Sequence, residues 1–143
     1  MRIFVTGGCG FIGSNFIISK ISQGSKILNF DKLTYAANQE NLSDIDKSPN
    51  YIFEKGDIKD SEKVSSAINE FNPNIVINFA AESHVDRSID GPKDFIETNI
   101  IGTYELLQSS LNYFNGLSDK HKSQFKFIHV STDEVYGSLG NEG

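Results

Sequence analysis

Arg2-Ile3-Phe4-Val5-Thr6-Gly7-Gly8-Cys9-Gly10-Phe11-Ile12-Gly13 opens the chain, and its reading decides the fold. Ile3 to Thr6 is short and nearly all apolar, the pattern of a strand buried on both faces. Closely spaced glycines follow, and then Phe11, Ile12, Phe16, Ile17 and Ile21 recur at helical spacing, so a first helix is expected to lay an apolar stripe on a sheet. A tight strand-to-helix turn needs residues without clashing side chains, and the backbone N–H groups at a helix start favour an anionic ligand. Gly7, Gly10 and Gly13 stand three apart, close to the dinucleotide fingerprint but more open than GxGxxG.

Composition narrows the classes. The 143 residues, 38% of them hydrophobic, suffice for one compact domain with a real core. No apolar run approaches membrane-spanning length and nothing reads as a signal peptide, so a cytoplasmic protein without a membrane partner is expected. A formal net charge of -6 and the lack of a basic cluster argue against nucleic acid as partner. They do not exclude a nucleotide, because backbone amides hold phosphate. The single cysteine, Cys9, rules out an internal disulfide framework and fits a reducing compartment. With no base beside it, Cys9 reads as a small residue tolerated in the turn. The last residues, Tyr136 to Gly143, are turn-like and complete no element, so a longer parent protein is expected.

Outward from the glycine turn the chain alternates strand and helix. Gly24 is placed to stop the first helix, and Lys26 to Phe30 is a second strand ending at Asp31. Asp31 lies about 20 residues past the turn, where a dinucleotide fold places the acid for a ribose. A carboxylate there accepts both ribose hydroxyls and repels a 2′-phosphate, which favours NAD over NADP. Lys32 weakens that repulsion without supplying an arginine-rich pocket. Leu33 to Ser48 is polar, with a short helix among loops. Tyr51 to Glu54 is a third strand followed by Gly56-Asp57-Ile58, where an acid can face an adenine amino group and an aliphatic neighbour the ring. A second helix starts at Ser61 and carries Val64, Ala67, Ile68 and Phe71, with Pro73 closing it. Asn74 to Ala81 is a fourth strand and its exit. This β-α repetition requires crossovers and points to an α/β, three-layer Rossmann-like fold with a parallel sheet.

The loops at the carboxyl ends of the later strands hold the remaining polar candidates. Ala80 and Ala81 either admit a flat cofactor or serve helix–sheet packing. Glu82-Ser83-His84-Val85-Asp86-Arg87-Ser88 follows; His84 either donates to a substrate phosphate or hydroxyl or bonds to Asp86. Pro92 seeds a long helix through about Tyr113. Thr98 and Asn99 within it need polar partners, either a cofactor amide or ribose or the loop after the fourth strand. Asn115 to Ser123 is a polar connection, and His121 there is a surface histidine. A fifth strand, Phe125 to Val130, runs into Ser131-Thr132-Asp133-Glu134-Val135-Tyr136-Gly137. Two adjacent acids beside a hydroxyl can supply acid and base if their environments separate their pKa values; adjacent loop acids are otherwise merely solvated. His84, Asp133 and Glu134 lack diagnostic metal-ligand spacing, so no metal is expected.

These motifs together resemble the extended short-chain dehydrogenase/reductase family, and within it the dTDP-glucose 4,6-dehydratases. The resemblance rests on Thr6 to Ser14, on Asp31-Lys32-Leu33-Thr34-Tyr35-Ala36, on Gly56-Asp57-Ile58, on Ala80 to Ser88, on Asn99-Ile100-Ile101-Gly102-Thr103 and on Ser131 to Gly137. Ala37 departs from the glycine expected in its loop. The resemblance implies NAD over Gly7, Gly10 and Gly13 with contacts from Phe11 and Ile12. Asp31 takes the adenosine ribose, flanked by Lys32, Leu33 and Thr34; Asp57 and Ile58 bracket the adenine; Ala80 and Ala81 line the ribose-nicotinamide path; and Thr98 is a further contact. Ser83, His84 and Thr132 approach the substrate, dTDP-glucose. The resemblance further implies that hydride would leave sugar C4 to NAD, Glu134 would remove the C5 proton, Asp133 would protonate the departing C6 hydroxyl, Thr132 would steady the sugar near C4, and the hydride would return to C6.

The product would be dTDP-4-keto-6-deoxyglucose, a deoxysugar and rhamnose precursor, and the full-length protein would be a homodimeric lyase. The family's tyrosine and lysine four residues on, in a helix after the fifth strand, would fall beyond residue 143, as would the last strands and the substrate-binding region. Residues 1–143 are thus an incomplete NAD-binding domain, expected to be inactive alone and to leave the fifth strand as an open edge. Tyr51 and Lys55 have the right spacing but sit on the third strand, a coincidence. Alternatives are a nucleotide-sugar 4-epimerase or another sugar-nucleotide dehydratase, and a non-catalytic NAD-binding module. An epimerase has no use for an acid-base pair that eliminates water.

Overall fold

Among the described residues five segments form the sheet: Arg2–Thr6 (β1), Lys26–Asp31 (β2), Tyr51–Lys55 (β3), Ile75–Asn78 (β4) and Lys126–His129 (β5). All neighbouring strands are parallel, in the order β3-β2-β1-β4-β5. The computed structural model describes residues 1–84, 89, 91–132, 135, 137 and 140. Parallel pairing forces each connection to cross back over a face of the sheet. Phe11–Ser22 (α1) joins β1 to β2, and a loop with a 3₁₀ turn at Gln39–Leu42 joins β2 to β3. Ser61–Phe71 (α2) joins β3 to β4. The last crossover runs through Pro92–Phe95 (α3), a π-helical stretch at Ile96–Gly102, Thr103–Gly116 (α4) and Asp119–Lys122 (α5).

Alternation along the strands divides the core into two layers. Ile3 and Val5 of β1 pack with Ile27, Ile77, Ile17 of α1 and Leu42. Phe4 points to the other face, with Leu28, Phe30, Val76, the α2 residues Val64, Ala67, Ile68 and Phe71, and Leu106 and Tyr113 of α4. Each fully buried aliphatic or aromatic side chain stabilises the fold by about 1.5–3 kcal/mol. The helices stop and start where local chemistry tells them to. Gly24 takes φ +80, with Ser25 N–H donating to Lys20 O at 3.0 Å and Gly24 N–H to Ile21 O at 2.9 Å, a Schellman closure of α1. The Asp60 carboxylate caps α2 by accepting from Lys63 N–H at 3.0 Å, and Asn72, left-handed at φ 50, ends it before Pro73.

Two expectations need correction. Phe11 and Ile12 do not pack on the sheet: they are 82% and 62% exposed, and Ile17 alone of the five periodic residues is fully buried. In that first turn the small residues Gly13 and Ser14 are the buried ones, on the same face as Ile17, and Phe11 and Ile12 lie on the side turned away from it. The long helix after Pro92 is not uniformly α, because the π stretch interrupts it, and it continues to Gly116. The polar connection after it also holds the short helix α5. Strand order reverses between β1 and β4, and such a reversal opens a crevice at the strands' carboxyl ends.

Candidate functional site

The three spaced glycines meet different demands at that crevice. Gly7 has φ +68, and a Cβ there would lie 2.5 Å from Ala80 N, so β1 and β4 could not both keep their exits. A Cβ at Gly13 would overlap the Gly7 carbonyl oxygen and crowd the Gly8 Cα, so Gly13 serves helix–strand packing. Gly10 differs: its added Cβ would meet nothing nearer than the Gly7 oxygen at 3.4 Å. It is the N-cap of α1 and no side chain caps that end, which leaves N–H groups and the positive end of the helix dipole facing the crevice.

Asp31 closes the far end of this floor, 7% exposed. Cys9 N–H donates to its Oδ2 and Leu33 N–H to its Oδ1, both at 2.8 Å. Leu33 holds φ +59, which costs about 1–2 kcal/mol for a residue with a side chain, and the bond to Asp31 offsets part of that cost. Each carboxylate oxygen keeps a second lone pair, so the group can accept two further O–H donors. Cys9 therefore contributes its amide. Its thiol is pushed up to about 11, by burial first and by the Asp31 charge second, and it accepts a 3.4 Å bond from Asn29 Nδ2.

Asp57 and Ile58 form one wall. Burial alone would raise the Asp57 carboxyl, but the Lys32 ammonium at 2.9 Å, the Lys59 N–H at 3.0 Å and the Lys59 charge hold it below its ordinary value. Ile58 is 4% exposed, and Gly102 of the π stretch lies so near that an added Cβ would come within 2.7 Å of it. Among the sequence-predicted residues the groove brings together Gly7, Gly10, Asp31, Lys32, Thr34, Asp57, Ile58, Ala80, Ala81 and Thr98. Gly13 is packed beneath it, Leu33 turns into the α1-side core, and Phe11 and Ile12 stand exposed at the start of α1. A cavity of about 420 Å³ adjoins it, bounded by Lys32, Tyr35, Lys59, Glu82, Glu97 and Thr98.

The opposite rim is tied by Asn99, whose partner the sequence left open, and by Tyr35 and Asn78, to which the sequence assigned no separate role. Asn99 settles its two alternatives in favour of the loop: its Oδ1 accepts from Glu82 N–H and its Nδ2 donates to Glu82 O, both at 2.8 Å. Tyr35 OH donates to Glu82 Oε2 at 3.0 Å, which joins the loops after β2 and β4 across the site, and its ring lies 5.9 Å from that of His84. Ser83 and His84 are exposed on this rim. Asn78, fully buried in β4, accepts from Thr6 Oγ1 and from Ala80 N–H, and its Nδ2 meets His129 Nδ1 at 3.1 Å. For the ties of Asn78 the available signal was a polar residue ending an otherwise apolar buried strand. Thr132 is exposed past β5, and Asp133 and Glu134 lie outside the described residues, as does Asp86, the alternative partner for His84.

Tyr51 is occupied elsewhere: its hydroxyl accepts from Asn29 Nδ2 at 2.9 Å at the start of β3, the end away from the crevice, which agrees with reading the Tyr51–Lys55 spacing as coincidence. Among the described residues no group of three or more His, Cys, Asp or Glu could hold a metal ion, and no helix is long and apolar enough to cross a membrane.

A family model described as GDP-mannose 4,6 dehydratase matches residues 4–143. The dTDP-glucose 4,6-dehydratase of Salmonella typhimurium is 52% identical over 141 residues, covering 97% of this chain and 39% of that protein. The chain thus spans about two fifths of the length of the curated relatives it matches. Among solved structures, the Bacillus anthracis dTDP-glucose 4,6-dehydratase in complex with NAD superposes with a TM-score of 0.81 at 43% identity, over 100% of this chain and 41% of that one. A UDP-glucose 4-epimerase from Thermotoga maritima, with UDP-glucose, gives 0.80 at 33% identity over 99% and 41%. Backbone shape is therefore common to both reactions.

Proposed function

The chain belongs to the GDP-mannose 4,6 dehydratase family, and on that premise we propose that it is the NAD-binding part of an enzyme converting dTDP-glucose to dTDP-4-keto-6-deoxyglucose. One observation carries the cofactor reading: the Asp31 carboxylate, oriented by two backbone N–H groups, stands at the end of a groove whose floor is the uncapped start of α1. A diphosphate suits the helix start and a ribose diol suits the two spare acceptors, so the residues fit NAD. Bound NAD supplies an acceptor for the C4 hydride and the donor that returns it to C6.

The chain's own residues do the rest of the work. Gly7 and Gly10 let the diphosphate reach backbone N–H groups, with Gly13 holding the helix close and Phe11 and Ile12 covering the ligand's outer side. Asp31 accepts the ribose hydroxyls, with Lys32, Leu33 and Thr34 shaping that end. Asp57 accepts from the adenine amino group and Ile58 packs beside the ring. Ala80 and Ala81 leave room for the second ribose, and Thr98 adds a polar contact. Ser83 and His84 meet the sugar nucleotide. Thr132 orients the sugar near C4, Glu134 takes the C5 proton and Asp133 delivers a proton to the departing C6 oxygen. The acid-base pair, together with relatives named for dTDP-glucose at about half identity, favours dehydration over epimerisation.

At full length the protein works as a homodimer in the cytoplasm. The exposed row Ile96, Ile100, Tyr104, Leu107 and Leu111 along one side of the last crossover supports a second copy as the cover, since so long an apolar row is costly to leave in water. A lone buried thiol suits a reducing compartment. The test is incubation of the full-length protein with dTDP-glucose and mass analysis of the sugar nucleotide. Loss of one water without accumulation of NADH is expected; a product of unchanged mass overturns the assignment.

A further inference from the structure

Lys32 follows Asp31 directly, so its ammonium is the natural partner for a phosphate placed on the ribose 2′ position. It is already engaged: Nζ stands 2.9 Å from Asp57 Oδ2. Asp57 is anchored in turn, accepting from Lys59 N–H at 3.0 Å with Lys59 Nζ at 4.0 Å. Lys59 Nζ lies 2.5 Å from Glu97 Oε2, and Glu97 Oε1 lies 3.5 Å from Lys93 Nζ. Charges thus alternate along the row Lys32, Asp57, Lys59, Glu97, Lys93, spanning the wall shared by the groove and the neighbouring cavity.

We propose that Asp57 is a specificity-determining residue which, by holding Lys32, withholds that cation from a 2′-phosphate and so extends the discrimination that Asp31 begins. This rests on the NAD reading given above and deepens it. A 2′-phosphate carries a charge of about -1.5 to -2. Beside Asp31 alone it would be repelled, but a mobile Lys32 would cancel most of that repulsion. Recruiting Lys32 from this structure breaks the pair with Asp57 and leaves a second carboxylate facing the phosphate. Asp57 cannot follow, because its side chain is only 25% exposed and its Oδ1 is tied to the backbone at Lys59, whereas the Lys32 side chain is 51% exposed and free to swing. The pairing lies partly in water, so its influence is that of a screened contact and weakens as salt rises. Lys59 does not replace Lys32 as a phosphate partner, since Glu97 engages it more closely than Asp57 does.

The experiment is calorimetric titration of the full-length protein with NAD and with NADP, in the wild type, Asp57→Asn, Lys32→Ala and the double variant. The quantity read is the ratio of the two dissociation constants. Asparagine keeps an acceptor for Lys59 N–H and loses the charge that holds Lys32. The NADP-to-NAD ratio is expected to fall roughly three- to fivefold in Asp57→Asn, the upper range of a partly screened charge contact. Most of that fall should vanish in the double variant, and Lys32→Ala alone should leave the ratio within about twofold of wild type, because Lys32 is already spent. An unchanged ratio in Asp57→Asn, or a fall undiminished in the double variant, overturns the proposal while leaving NAD as the cofactor. A clear rise in the ratio for Lys32→Ala overturns it too, since Lys32 then reaches the phosphate in the wild type. Wild type that binds no NAD overturns both readings together.

Discussion

Gly10→Ala and Gly13→Ala, three residues apart and identical in chemistry, should fail in different ways. At Gly13 every atom crowding the new methyl is backbone of Gly7 or Gly8, so the start of α1 has to lift from β1. Overpacking of this kind costs about 1–3 kcal/mol. At roughly 3–4 °C per kcal/mol for a chain of this size, Gly13→Ala should melt about 3 to 12 °C below wild type. At Gly10 the methyl meets only the Gly7 oxygen at 3.4 Å, and φ -75 suits alanine. Loss of a glycine N-cap costs at most about 1 kcal/mol, or about 3 °C. That methyl nevertheless fills the space in which a diphosphate reaches the helix N–H groups. Losing one such charge-assisted bond, worth about 1.5–3 kcal/mol, weakens NAD binding by roughly tenfold or more. Thermal melting with and without NAD, backed by calorimetric titration, reads both quantities. NAD binding by Gly10→Ala as tight as that of wild type, or melting as low as that of Gly13→Ala, would contradict these separate roles for the two glycines.

Two further outcomes follow from the site's electrostatics. Cys9, fully buried with its thiol pushed up to about 11, should resist iodoacetamide at neutral pH in the folded protein and react readily once denatured; rapid native alkylation, followed by mass spectrometry, would count against its assignment as a packed residue. Asp57 titrates below its ordinary value of about 3.9 when folded, so the stability it adds is complete above about pH 4 and is lost as pH falls through the depressed value. Asp57→Asn should therefore show a shallower fall of melting temperature below about pH 4, and superimposable acid limbs would contradict the ion-pair geometry.

The parts legible in the sequence are those that local chemistry dictates. Ile3-Phe4-Val5 is apolar without alternation because β1 is covered on both faces, and Asp60, Asn72, Pro73 and Gly24 sit at helix ends for reasons of capping and backbone geometry. The position of Asp31 at the end of β2 followed from its distance past the glycine turn. What remained hidden depends on long-range placement. Nothing in Ile96-Glu97-Thr98-Asn99-Ile100-Ile101-Gly102 distinguishes a π stretch from ordinary helix; Gly102 is needed against Ile58, a contact that appears only after folding. The exposure of Phe11 and Ile12 runs against their hydrophobicity, because the face of α1 that packs inward carries Gly13, Ser14 and Ile17 instead. The pairing of Lys32 with Asp57 joins two strand ends through the parallel register of β2 and β3, and Asn99 had two admissible partners until the loop at Glu82 was in place. The chemistry assigned to Asp133 and Glu134 rests on sequence resemblance.

Internal return of a hydride during loss of water, proposed for the full-length protein, is read directly by label position. The full-length protein is given dTDP-glucose bearing deuterium at C4, and the product is examined by NMR. Deuterium is expected in the C6 methyl group of a 4-keto product, with no label left on NAD. Deuterium retained at C4 of an epimerised sugar, or accumulated in reduced cofactor, would contradict it.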